Sequence, residues 1–330
     1  MTRPPVKAVA LFSGGLDSMI ACRLMADLGV EVTAVWFDIG FGVSDEKRAW
    51  LEKTAAMARA KLMIVDITDQ FVSEILFNPK YGYGSAFNPC IDCHANMFRH
   101  AEKFRESLGA DFLISGEVLG ERPFSQNRQA LDSVAKHSGV REKIVRPLSA
   151  KLLPPTQAEI DGLIDREKLL DLSGRGRKRQ IELAAQYGFS DYESPAGGCL
   201  YTDPGFSARI EEQAKHALPL PSEIKLFRLG RHLRLPGGAK LIVGRNEAEN
   251  DRLIALNPER FDLINMPEEL FGPASLLEKS ANEADRELAV RIILSYSRTQ
   301  SGQHYTLHVG HQNVTAQPFE DKKAFSGLLI

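Results

Sequence analysis

The stretch LFSGGLDSM at 11–19 constrains the fold more than any other part of this chain. Upstream, VKAVALF at 6–12 is a short run of strand-favouring residues. Downstream, Met19, Ile20, Leu24, Met25 and Leu28 recur at helical spacing, and Gly29 marks the stop. Strand, glycine turn and helix N-terminus therefore follow one another directly. The first turn of a helix leaves backbone N–H groups unpaired and carries the positive end of the helix dipole, so the junction suits an anion. Gly14 and Gly15 allow a ligand close to the backbone, and Ser13 and Ser18 supply hydroxyls. The stretch is neither GxxxxGK[ST] nor GxGxxG, which sets aside the lysine-bearing phosphate loop and disfavours a dinucleotide fold. An ordinary glycine-rich βα turn is the plainer alternative.

The rest of the N-terminal half repeats this alternation. VTAVWF at 32–37, the run 61–67 and DFLIS at 111–115 read as strands, with helical patterns over about 44–60 and 94–108 between them. Such alternation predicts an α/β fold, a parallel sheet with helices on both faces, whose ligands bind beyond the carboxyl ends of the strands. The unusual residues fall at those ends: SGGLDS after the first strand, Asp38 after the second, Gly116 and Glu117 after the fourth. From about 147 the character changes. PLSAKLLPPTQAEI carries three prolines, and DLSGRGRKRQIELAAQYGF opens with a dense basic cluster. The expected organisation is a nucleotide-type domain over 1–149, a helical segment over 150–221 and a smaller α+β domain over 222–330, with LPLPS at 218–222 as linker. Within the last part EIKLFRL, AKLIVG and HYTLHV read as strands and 283–297 as a long helix.

Composition narrows the partners. The formal net charge of −2 over 330 residues gives no bulk attraction to nucleic acid, so any such contact rests on local patches. No apolar run reaches membrane-span length, and strand begins almost at once after MTRPPVK; a cytoplasmic protein without a signal peptide is the expectation. The four cysteines are then not expected to form structural disulfides. Cys22 falls on the apolar side of the first helix and reads as core. NPCIDC at 88–93 places Cys90 and Cys93 at the head of a helix, where the dipole favours thiolate, and Cys199 sits in a turn-rich loop, ESPAGGCLYTDPG. Four readings stay open for these three: a zinc site completed by His94 or His100, inert buried thiols, three ligands of a [4Fe–4S] cluster with one iron open to sulfide, or a persulfide carrier with a resolving thiol.

The motifs also carry family resemblances. SGGLDS resembles the pyrophosphate-binding loop of the PP-loop ATP pyrophosphatases, which cleave ATP between the α and β phosphates and adenylate a substrate. That resemblance implies that Ser13, Gly14, Gly15, Leu16, Asp17 and Ser18 hold ATP and Mg²⁺, with Asp17 catalytic and Asp38, Gly116 and Glu117 completing the ATP site. For Asp38 the alternative is a helix cap, and for Glu117 a solvated carboxylate. NPCIDCHANMFRHA and GGCLYTDPGFSARIEE resemble the two catalytic-cysteine segments of bacterial tRNA 2-thiouridylases, which implies Cys90 as resolving thiol and Cys199 as persulfide carrier. ISGEVLGERPFSQN resembles a segment of tRNA 4-thiouridine synthetases. The layout of a CxxC and a distant third cysteine is also that of cluster-dependent tRNA thiolases, with Cys90, Cys93 and Cys199 as the iron ligands.

In the C-terminal part, LIVGRNEAENDRLIAL, GPASLLEKS and EADRELAVRIILSYSR resemble the NFACT RNA-binding domain. Arg228, Arg231, Arg234, Lys240 and Arg245 recur through it as candidate phosphate contacts, and Arg175, Arg177, Lys178 and Arg179 form a denser candidate RNA patch. A solvated charged face is the alternative for both. The function these resemblances imply is an ATP-dependent tRNA sulfurtransferase that adenylates a uridine carbonyl and replaces its oxygen with sulfur. Its partners would be tRNA and a sulfur donor, a cysteine desulfurase or free sulfide. Two rivals stay open: adenylation or sulfur transfer on a small molecule, and a nucleotide-dependent RNA- or ribosome-binding protein without turnover.

Overall fold

The computed structural model describes residues 4–193, 199–256, 258–264, 266–267 and 269–330. The chain divides into two compact units, Met1–Asp203 and Pro204–Ile330, ahead of the 218–222 stretch read as a linker.

The first unit is built on five parallel strands, β1 (Lys7–Leu11), β2 (Glu31–Asp38), β3 (Ala60–Asp66), β4 (Phe112–Ser115) and β5 (Ile144–Val145), in the order β3-β2-β1-β4-β5. Around them lie α1 (Leu16–Asp27), α2 (Asp45–Met57), the short α3 (Thr68–Gln70), α4 (Cys90–Ser107), α5 (Arg128–Ser138), the single-turn α6 (Gln157–Ile160) and α7 (Lys178–Tyr187). The α/β expectation is met, and the apolar runs explain why. Val9, Ala10, Leu113 and Ile114 are buried from both faces of the sheet, so the central strands read as continuous hydrophobic segments. The strand order reverses between β1 and β4, which opens a crevice at their carboxyl ends. Two of the sequence's unusual segments, SGGLDS and Gly116-Glu117, flank that crevice.

The second unit begins with α8 (Pro204–Ala214) and has a four-stranded antiparallel sheet of order β6-β7-β9-β8, from β6 (Arg231–Arg234), β7 (Lys240–Val243), β8 (Phe261–Ile264) and β9 (Ser275–Glu278). Helix α9 (Glu247–Leu256) follows β7, α10 (Glu283–Ser295) follows β9, and β10 (Tyr305–Val309) and β11 (Gln312–Ala316) form a hairpin. Its core joins Leu241, Val243 and Leu277 of the sheet to Ala289, Ile292 and Ile293 of α10.

One element differs from expectation. EIKLFRL lies in a 3-10 helix, Pro221–Arg228, rather than a strand. Pro221 starts it with the φ a helix needs, and the Glu223 carboxylate accepts the Leu220 N–H at 2.9 Å. Ile224, Leu226 and Phe227 are all buried, a spacing that breaks strict alternation. Among the described residues no helix is long and apolar enough to cross a membrane.

Candidate functional site

The glycine loop connects β1 to α1 with almost no slack. Gly14 takes φ +79°, and a Cβ there would lie 2.4 Å from the Trp50 ring, so this position admits glycine only. The loop hydroxyls hold each other: Gly15 N–H donates to Ser13 Oγ at 3.1 Å, and Ser18 Oγ donates to the Gly15 carbonyl at 2.8 Å. Gly116 closes the opposite wall. A Cβ on it would sit 2.7 Å from the Ser18 nitrogen, so the end of β4 packs directly on the first turn of α1.

The three carboxylates of the expected ATP site, Asp38, Glu117 and Asp17, divide into two kinds. Asp38 is buried, and its Oδ1 accepts the N–H groups of Gly40, Phe41 and Gly42 at 2.9–3.0 Å. It shapes the loop after β2, while Ser44 caps α2 by accepting the Lys47 N–H. Glu117 is also buried and fully engaged, by His94 Nδ1 at 2.9 Å and Arg146 Nε at 2.8 Å. Burial alone would push its carboxyl up, but the Arg146 and His94 partners hold it at about 2. The solvated-carboxylate alternative for Glu117 is thereby corrected: it is the anchor between β4, α4 and β5.

Asp17 is different. Arg177 Nη2 stands 3.5 Å from its Oδ2, and among the described residues its Oδ1 is buried without a well-formed hydrogen bond, the Gln180 side chain lying nearby. Arg177 Nε is likewise buried without a hydrogen bond, 3.6 Å from Glu121 Oε1. Burial raises the carboxyls of both Asp17 and Glu121, against the pull of Arg177 and Arg122. Arg177, read from sequence as an RNA contact, thus lies beside the glycine loop. Its neighbours Arg175 and Lys178 are exposed, as is Arg179, which pairs with Asp171 at 2.7 Å. Glu121 and Arg122 escaped the sequence reading, although two charges directly after the β4 turn were the available signal. His94 entered it only as a zinc ligand, and Arg146 not at all.

The cysteines come next to this loop by a second route. Glu193 bridges to Gly15 as a short parallel β contact and pairs with Lys47, while Asp191 pairs with Lys53 at 2.8 Å. These ties bring the 191–193 segment across α2 and the glycine loop. Beyond residues 194–198, Tyr201 is buried, its hydroxyl donating to the Ile39 carbonyl at 3.0 Å and its ring against Phe41 and Phe71. Gly197 and Gly198 of the GGCLYTDPG segment lie outside the described residues. Cys199 is thereby delivered to Cys90, the first residue of α4, and to Cys93 one turn on.

All four cysteines are free thiols. Burial raises Cys93, and both Cys199 and Cys90 raise it further; Cys199 is pushed up to about 11 by burial, with Cys90 adding to it. The three groups are therefore in mutual electrostatic range. The expected thiolate at the head of α4 is corrected: burial outweighs the helix dipole and raises Cys90, even though Asn88 Nδ2 donates to its Sγ at 3.1 Å and Arg122 pulls the other way. Cys22 is buried in the main core and pushed up to about 12. Among the described residues no three His, Cys, Asp or Glu groups are arranged to hold a single metal ion such as zinc. An ion bound by Asp17 alone is another matter, because a buried carboxylate oxygen without a partner suits a hard divalent cation.

The second unit sorts its cations the same way. Arg234 and Lys240 are consumed by Glu212, at 2.7 and 2.5 Å, with Glu278 3.4 Å from Arg234; they are structural. Arg245 is paired with Glu249, and Arg228 is exposed. Arg231, Arg245, Asn246, Asn250, Tyr296 and Lys322 line a polar cleft of about 330 Å³. Over the Tyr296 ring stand Arg231 at 4.5 Å and Lys322 at 4.7 Å, and among the described residues neither pairs with a carboxylate.

Comparison with known proteins gives both units relatives. Residues 5–151 match the family model of the thiamine biosynthesis protein ThiI, and residues 230–325 match that of the NFACT protein RNA-binding domain. The chain is 34% identical over 115 residues to a tRNA-specific 2-thiouridylase MnmA of Desulfosudis oleivorans, covering 34% of this chain and 32% of that protein. It is 29% identical over 170 residues to a probable tRNA sulfurtransferase of Thermococcus kodakarensis, covering 51% of this chain and 40% of that protein. A solved 4-thiouridine synthetase–RNA complex with bound ATP aligns with 67% of this chain and 52% of that one, at 22% identity and a TM-score of 0.42. The alignments span well under two thirds of these two curated relatives.

Proposed function

We propose that this chain is a cytoplasmic, ATP-dependent tRNA sulfurtransferase; the match of residues 5–151 to the ThiI family model, that of residues 230–325 to the NFACT RNA-binding domain model and the likeness to tRNA-thiolating proteins support the reading. One observation carries the reading. An anion-binding glycine loop with an unsatisfied buried carboxylate, Asp17, shares a charged neighbour, Arg122, with two thiols brought together from sequence-distant segments, Cys90 and Cys199.

The chemistry follows from those parts. A uridine carbonyl oxygen is a poor leaving group, so AMP is first transferred to it, and pyrophosphate leaves against the N–H groups of the Gly14–Ser18 turn. Mg²⁺ held by Asp17 would neutralise charge on that pyrophosphate. The terminal sulfur of a Cys199 persulfide then attacks the activated carbon, and AMP departs with the oxygen. The resulting carbon is joined through two sulfurs to Cys199. Cys90 thiolate attacks the Cys199 sulfur, the S–S bond breaks, and its electron pair leaves on the thionucleoside. A Cys90–Cys199 disulfide remains, which a cellular dithiol must reduce, and a sulfur donor must then reload Cys199. Arg122, whose charge lowers both thiols, favours the thiolates this relay requires. Glu117 acts at a distance by fixing the ends of β4 and β5. The cleft around Tyr296 contributes RNA phosphate contacts through Arg231 and Lys322.

A second reading has one observation in its favour, the thiamine-biosynthesis name of the matching family: sulfur passed towards a small molecule. Mass spectrometry of tRNA nucleosides from cells with and without the gene separates the two. Loss of 4-thiouridine or of a 2-thiouridine supports the tRNA reading and fixes the position, while an unchanged profile moves it to the small molecule. In vitro, Cys199→Ser is expected to keep tRNA-dependent pyrophosphate release and to end thiolation. Full thiolation by that variant would refute the relay.

A further inference from the structure

We propose that Arg177 is a phosphate ligand of the nucleotide site, resting on Asp17 and Glu121 until pyrophosphate or ATP arrives. The inference rests on the nucleotide reading of the glycine loop and takes Arg177 out of the basic patch to which its sequence neighbours belong.

Delivery of the side chain is built into the backbone. Ser173 bridges to Leu119 in parallel, and the Gly174 N–H donates to the Leu119 carbonyl at 2.7 Å. Gly120 takes φ +80°, a left-handed conformation that glycine adopts without strain, and packs against the backbone of Gly174. The loop before α7 is therefore laid along the segment leaving β4, and Arg177, at the N-cap of α7, projects to the N-terminal turn of α1. Arg175, Lys178 and Arg179 stay exposed on the same loop and helix start.

The contacts that Arg177 makes are close in charge and poor in hydrogen bonding. It stands 3.5 Å from Asp17 and 3.6 Å from Glu121, and among the described residues its buried Nε has no acceptor. Asp17 Oδ1, equally buried, accepts no well-formed hydrogen bond among the described residues, although the Gln180 side chain lies near enough to lower its carboxyl slightly. A guanidinium fork normally takes carboxylates two bonds at a time, at shorter distances. Elsewhere in this unit it does so: Arg105 holds Glu102 at 2.7 and 2.9 Å. A buried network left half satisfied is costly unless something else completes it. A phosphate supplies what is missing, since its oxygens are acceptors for both Nε and Nη2. A cation on Asp17 at the same moment would remove the carboxylate's hold on Arg177. The donors of the glycine loop lie on the adjoining turn, so one pyrophosphate can meet both sets.

The test is calorimetric binding of Mg-pyrophosphate to the full chain, beside tRNA binding at several salt concentrations. Arg177→Ala is expected to weaken Mg-pyrophosphate binding by about 10- to 100-fold, the loss of a charge-assisted pair, with tRNA affinity within about twofold. Arg175→Ala/Arg179→Ala should do the reverse. Glu121→Gln, which removes a competing acceptor and keeps Arg177, should tighten Mg-pyrophosphate by a few-fold, and it decides the matter if Arg177→Ala does not fold. Unchanged pyrophosphate affinity in both Arg177→Ala and Glu121→Gln, or a loss confined to tRNA, overturns the proposal. A wild-type chain that binds neither Mg-pyrophosphate nor Mg-ATP is a different failure: it removes the nucleotide reading and this inference together.

Discussion

Glu117 and Asp17 stand on the two walls of one crevice, and they differ in every respect that separates scaffold from site. Glu117 is buried with both oxygens committed, to His94 and Arg146, and is held at about 2. Asp17 has one oxygen near Arg177 at 3.5 Å, the other without a well-formed hydrogen bond among the described residues, and a carboxyl raised by burial. Folding a chain around a satisfied carboxylate gains stability, whereas an unsatisfied one costs it, so the second persists only where a ligand completes it. The cations of the second unit repeat the contrast. Arg234 and Lys240 are spent on Glu212, while Arg231 and Lys322 share the Tyr296 ring and pair with no carboxylate among the described residues.

The largest effect that would test this contrast is at Asp17. Asp17→Asn is expected to lower AMP formation by about 10³-fold, the scale at which a group that positions transition-state charge is lost. The same change should leave the thermal midpoint of the nucleotide-free protein unchanged or higher. A carboxyl raised above its unfolded value is a net liability once it ionises, so neutralising it relieves the fold. A lower midpoint, or retained turnover, breaks the comparison.

Glu117 should respond with the opposite signature. Removing its carboxylate in Glu117→Ala leaves Arg146, 9% exposed, without a carboxylate and with only the Leu131 carbonyl at 3.3 Å, and is expected to cost about 3 kcal/mol or more of stability by urea titration. Its pH dependence has a definite sign. The folded carboxyl is held at about 2 against an ordinary 4.5, so its contribution is complete above pH 4.5 and is lost as pH falls towards 2. Wild-type stability should therefore drop across that window by about 3 kcal/mol more than that of Glu117→Gln. Parallel acid profiles for the two proteins would reduce Glu117 to a bystander.

Much of this was legible in the chain. The strand–turn–helix at SGGLDS, the parallel α/β class, the buried Cys22 and the gathering at strand ends all follow from local pattern, because each depends on residues within a few positions. What could not be read was the state of a charge. Arg177 looks no different from Arg175 or Arg179 in GRGRKR; only the Leu119–Ser173 bridge, a contact between distant segments, turns it towards Asp17. The thiols failed for the same reason. A position at the head of α4 argues for thiolate, but burial in the folded unit decides otherwise. EIKLFRL was lost to a local competitor instead, the helix start that Pro221 and Glu223 make.

The smallest effect sharpens the contrast among the cations. Lys322 stands 4.7 Å from the Tyr296 ring centre and pairs with no carboxylate among the described residues, whereas Lys240, 1% exposed, is 2.5 Å from Glu212. If Lys322 meets an RNA phosphate, Lys322→Ala should weaken tRNA binding at low salt and reduce the slope of log affinity against log salt by about 1. Its thermal midpoint should stay put, since an exposed cation contributes little to folding. Lys240→Met should behave the other way: an unchanged salt slope with an altered midpoint, because its charge never reaches the ligand. The two measurements together separate a cation the fold has used from one it has left available. Equal salt slopes for Lys322→Ala and wild type would place the RNA contacts elsewhere and leave the Tyr296 cleft to some other anion.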